Sequence, residues 1–98
     1  VKVNLRQPSP FRIDYRLDDP ISWPGYNNIY GRSDHYNYAR YGIPIAFFST
    51  GLHQDYHRVT DEAQYIDFPH LTNITRYLHD LLLDVANLDK RPLVDKKP

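Results

Sequence analysis

From Asp67 onward the chain reads DFPHLTNITRYLHDLLLDVANL, in which Leu71, Ile74, Leu78, Leu81, Val85 and Leu88 recur every three or four positions. That spacing follows the 3.6-residue period and predicts one long amphipathic helix. Asp67 stands at its N-cap and Pro69 falls in the first turn, where proline is tolerated. FRIDYRL, residues 11–17, alternates apolar Phe11, Ile13, Tyr15 and Leu17 with Arg12, Asp14 and Arg16. A period of two predicts a half-buried strand. IPIAFFS, 43–49, is continuously apolar and predicts a strand buried on both faces. Before it, SDHYNYARYG, 33–42, predicts a short helix. Ser33 would be the N-cap, Asp34 would lie in the first turn, and Gly42 would be the C-cap glycine. Pro44 then blocks continuation.

The remaining segments are loops by their chemistry. Residues 1–10 read as an extended, linker-like stretch. Residues 18–32 hold two prolines, two glycines and two asparagines. Thr60 can cap a short turn over DEAQ, and 89–98 is a charged, proline-interrupted tail. The order is strand, loop, short helix, buried strand, loop, long helix. It predicts an α/β class, specifically the C-terminal portion of a three-layer αβα domain with a mixed, largely parallel sheet. A strand buried on both faces needs a layer over each, more than 98 residues with two helices supply. Ligand sites in open α/β sheets lie beyond the carboxyl ends of strands. GLHQDYHRVTDE, residues 51–62, follows such an end.

Charge narrows the partners. Lys plus Arg is 12 and Asp plus Glu is 12. A zero balance argues against nucleic acid, which needs a basic surplus. The chain has no cysteine, so disulfides and thiolate metal sites are excluded. No apolar run reaches the ~20 residues that span a bilayer. The chain opens at Val1 without an initiator methionine, as expected of a processed or cut chain, so a missing signal peptide carries no information.

Residues 51–62 concentrate the candidate chemistry. His57 is the residue to favour: a neutral imidazole is a good zinc ligand when a carboxylate fixes its tautomer. Asp61 or Asp34 can supply that carboxylate. Tyr56 can donate its phenolic proton to a developing oxyanion. On spacing alone a loop histidine is more often solvated than a ligand, and His53 and Asp55 read as exposed loop residues. Tyr36, Tyr38 and Tyr41 can line a pocket, but packing is the better reading. Trp23, with Tyr26 and Tyr30, can form a carbohydrate platform, but a loop anchor or a hydrophobic dimer contact reads at least as well. His70 and His79 read as exposed or helix-packing.

The stretch RSDHYNYARYGIPIAFFSTGLHQDYHRVTDEAQYID resembles the C-terminal signature of a family of zinc-dependent exopeptidases. That family includes bacterial leucine aminopeptidases and glutamate carboxypeptidase. Glutaminyl cyclases and the non-catalytic transferrin-receptor ectodomain are relatives. The resemblance rests on an SDH tripeptide opening a helix, then Gly-Ile-Pro and an apolar run. Gly-x-His-x-Asp-Tyr-His follows, with an Asp four residues beyond the last His and an Ile-Asp before the terminal helix. It covers about residues 32–67, and the terminal helix also fits.

By this resemblance, residues 11–88 are the C-terminal part of a metallopeptidase catalytic domain. His57 matches the last zinc ligand and Tyr56 the residue that stabilises the tetrahedral intermediate. Asp34 matches an acidic residue near the active site, and Asp61 one that braces the ligand loop. Val59 stands where the motif often has proline. The family's two-zinc site also needs a His, a bridging Asp, a Glu, a further Asp and a separate Glu as general base. All of these lie upstream of the signature. This chain has one glutamate, Glu62, and no Glu-Glu pair. The resemblance therefore implies a peptide substrate and zinc, with the rest of the catalytic domain as partner and a homo-oligomer as a further possibility. The 98 residues alone are expected to be inactive. Cyclase or carboxypeptidase chemistry, or a non-catalytic association module, are the alternatives. Export to the periplasm or beyond is an expectation of the resemblance alone.

Overall fold

The computed structural model of the protein describes residues 1–15 and 29–94. These fall into two compact units. One is formed by 1–11 with 50–89, the other by the described parts of 12–49 and 90–98. Three helices are present among the described residues: α1 (Lys2–Leu5), α2 (His35–Ala39) and α3 (Phe68–Ala86). Single 3-10 turns occupy Ile29–Gly31 and Ala63–Tyr65. None of the described helices is long and apolar enough to cross a membrane.

α3 starts where its sequence says it should. Asp67 has extended backbone, and its Oδ1 accepts the His70 N–H at 3.0 Å. This satisfies one of the first-turn amides that have no partner within the helix. At the other end the helix stops at Ala86, two residues short of the apolar pattern. There Asn87 donates to the Leu83 carbonyl through both its backbone N–H (3.1 Å) and its side-chain amide (2.8 Å).

The first ten residues, expected to be extended, instead form α1 and a bend that dock on α3. Val3 is buried beneath the turn. Gln7, also buried, donates to Asp80 at 2.8 Å, and Arg6 pairs with Asp84 at 2.7 Å. Asn4 donates its amide to the Phe11 carbonyl at 2.7 Å and accepts the Phe11 N–H at 2.8 Å. The Phe11 ring thereby lies 5.7 Å from that of Tyr77 and 5.9 Å from that of His70. Tyr77 is the buried side chain of α3. At 100° per residue, positions 70, 77, 84 and 80 all lie to one side of the centre of the apolar stripe, by roughly 50° to 130°. α1 therefore covers the edge of that stripe. Leu71, Val85 and Leu88 stay exposed while Ile74, Leu78 and Leu81 are half-buried.

In the other unit α2 ends in a Schellman motif. Gly42 takes φ 73°, its N–H donates to the Ala39 carbonyl (2.9 Å), and the Ile43 N–H reaches back to Tyr38 (3.2 Å). The α2 start differs from expectation. Asp34 flanks the helix with no side-chain cap, and the Ser33 carbonyl accepts the Tyr36 N–H. His35 donates from Nε2 to the Tyr30 carbonyl at 2.7 Å and stacks on Phe47 at 4.4 Å. Ala39 is the buried residue of α2, and Tyr36, Tyr38 and Tyr41 are exposed, Tyr36 with its ring edge-on to that of Tyr30 at 6.0 Å.

The expected α/β architecture is not found: the described residues contain no strand. Residues 43–50 have no regular structure, nor have 11–15; Arg16 and Leu17 lie outside the described residues, as do Trp23 and Tyr26. An apolar run reports only a tendency to be buried. A strand also requires a neighbouring strand to accept and donate its backbone hydrogen bonds, and no strand is formed by 43–50 among the described residues. Phe47 and Phe48 remain 45% and 41% exposed, so the burial inferred for this run is not realised either.

Candidate functional site

Residues 50–61 follow the apolar run and belong to the same unit as α3. The segment has no regular secondary structure, so its shape depends on local bonds. The His53 carbonyl accepts the Tyr56 N–H at 3.1 Å, and His53 Nδ1 accepts the Asp55 N–H at 3.3 Å. Because that nitrogen accepts, a neutral His53 carries its proton on Nε2. The Asp55 carbonyl accepts from Arg58 at 2.9 Å and the Arg58 carbonyl from Asp61 at 3.1 Å. Thr60 donates its hydroxyl back to Asp55 Oδ1 at 2.7 Å.

His57 sits at the apex with φ 58°, the one non-glycine residue with positive φ among those described. L-residues pay for that conformation, so it persists only where the surroundings over-determine it. Here it brings the His57 ring to 4.0 Å from the Tyr56 ring, centroid to centroid, with an interplanar angle of 37°. The His53 ring lies edge-on to the Tyr56 ring, 6.3 Å from it. Both His57 and Tyr56 are exposed, Tyr56 at 38%. The turn therefore presents an imidazole and a phenol side by side to solvent.

The other two candidates are placed differently. Asp61 contributes its backbone N–H to the turn, while its carboxylate is exposed and makes no hydrogen bond to His57 among the described residues. Asp34 is exposed at the start of α2, in the other unit. Two residues carry more of the loop than the sequence suggested. Asp55 read as an exposed loop residue and Thr60 as a cap for the turn that follows. Instead they bind each other across His57. The only sequence signal is an acceptor and a donor five positions apart in a loop, which many loops share.

The residues present fit one metal ligand, not a complete set. His57 offers an accessible ring, but no group of three or more His, Asp or Glu able to hold a metal occurs among the described residues.

A family model, Peptidase family M28, matches residues 18–82, more than half of the chain. The match takes in Asp34, Tyr56, His57 and Asp61. Neither a curated protein nor a solved structure matches significantly.

Proposed function

Because the chain belongs to peptidase family M28, we propose that it supplies one wall of a zinc-dependent aminopeptidase site that removes N-terminal residues from peptides. The observation that carries this reading is the exposed Tyr56–His57 pair, its rings 4.0 Å apart on a left-handed turn. His57 contributes one nitrogen to a metal whose other ligands come from outside these 98 residues. Zinc, when bound, supplies the polarising charge that activates water and carbonyl in such hydrolases. Tyr56 donates its phenolic O–H to the oxygen that becomes negative at the scissile carbon. Asp61 is proposed to steady the end of the loop through its backbone bond to Arg58.

Two substitutions in the enzyme that contains this chain separate the roles. His57→Ala should lose one zinc equivalent and most of the activity, and unchanged zinc content would reject the ligand assignment. Tyr56→Phe should keep the zinc and lower kcat by about a hundredfold, the usual loss for one oxyanion donor. Equal turnover would remove the oxyanion role.

A further inference from the structure

The backbone at His57 is held from both sides by one residue. Asp55 precedes it by two positions, and its carbonyl accepts the Arg58 N–H just beyond the apex. Its carboxylate accepts the Thr60 hydroxyl at 2.7 Å, three positions beyond. An ionised carboxylate can only accept, so Thr60 is the donor, and the distance lies in the charge-assisted range. A non-glycine residue at φ 58° needs such over-determination, because its left-handed conformation is intrinsically disfavoured. Asp55 is half-buried, unlike the exposed residues around it from Leu52 to Glu62. The Asp61 carboxylate, by contrast, makes no such bond among the described residues.

We propose that Asp55 and Thr60 are positioning residues: their hydrogen bond locks the left-handed turn that aims the His57 imidazole and seats it against Tyr56. This rests on the reading of His57 as a zinc ligand. Groups that orient a ligand from behind typically matter about 10–100-fold to metal affinity or activity. Thr60 allows a discriminating test, because valine keeps the branched shape and removes the donor, whereas serine keeps the donor and removes the branch.

In the enzyme that contains this chain, Thr60→Val should weaken zinc affinity, read by chelator competition, about tenfold or more. The kcat of the zinc-saturated enzyme should also fall, with KM changed less than about twofold, as for loss of a group that orients a ligand. Thr60→Ser should restore both. Wild-type affinity and kcat in Thr60→Val would overturn the proposal, as would equal losses in the valine and serine variants. The turn itself is read separately in the 98-residue chain, by the one-bond Cα–Hα coupling of His57, which reports positive φ. Thr60→Val should abolish that signature and Thr60→Ser should retain it; its persistence in Thr60→Val would overturn the clamp. His57→Ala with unchanged zinc rejects the ligand reading alone, and the coupling then still decides whether the clamp exists.

Discussion

Asn4 shows what a single amide can do in a chain with so little buried apolar surface. Its side chain satisfies both backbone groups of Phe11, donating at 2.7 Å and accepting at 2.8 Å. That pairing fixes the Phe11 ring near Tyr77, the buried side chain of α3. Asn4→Ala removes both partners at once and should destabilise the fold by about 1–3 kcal/mol, the cost of leaving buried polar groups unpaired. Urea unfolding followed by helix ellipticity measures it, and a change under ~0.5 kcal/mol would show that water replaces the lost bonds without penalty. Nothing in VKVNLRQPSP announces this role, because the partner is a backbone seven residues away and backbones carry no sequence signal. Gly42 was legible for the opposite reason. A C-cap glycine acts on its own helix, so neighbouring residues suffice to locate it. His57 is an intermediate case: the motif singled it out as a candidate ligand, but its left-handed backbone could not be read, since histidine does not require that conformation.

Among the elements, the docking of α1 on α3 depends on charge at one end and burial at the other. The amide of Gln7, and secondarily the His79 ring at 3.1 Å, hold the Asp80 carboxyl below its ordinary range. Asp84, through its hydrogen bond and then its charge, raises the Arg6 guanidinium above its own. A depressed carboxyl contributes stability that is complete above the ordinary carboxylate range and is lost as pH falls through the lowered folded value. The raised Arg6 loses its own charge, and with it its contribution, only in strong alkali. Docking of residues 1–11 should therefore loosen on acidification below about pH 4 and hold on the neutral side. The Gln7 side-chain amide resonances in a pH titration report it, and Asp80→Asn should flatten that titration. A midpoint at or above the ordinary carboxylate value would contradict the linkage. α3 itself was legible down to its capping carboxylate, because periodicity and capping are local. The two expected strands were not. Their apolar patterns gave a preference for burial, while strand formation depends on a partner that no pattern within the segment specifies.

For the molecule as a whole, the decisive quantity is how many groups that can bind metal or take a proton it brings to one place. The chain has a single glutamate, Glu62, which is exposed and accepts a hydrogen bond from Gln64 at 3.0 Å. His57 and Tyr56 offer one imidazole and one phenol on a turn bridged by the Asp55–Thr60 hydrogen bond. Metal-assisted hydrolysis needs more: several ligands to fix the ion, and a base within reach of the water it activates. On the proposed reading, one ligand and one donor make up a single wall of such a site. Adding zinc and an aminoacyl chromogenic substrate to the 98-residue chain should therefore give no turnover above the metal-containing buffer. The same assay on an enzyme that joins this chain to the remaining ligands should give turnover that His57→Ala removes. Metal-dependent turnover by the isolated chain, abolished by a chelator, would mean that a second set of ligands assembles from these residues, with the eleven aspartates the first place to look for them.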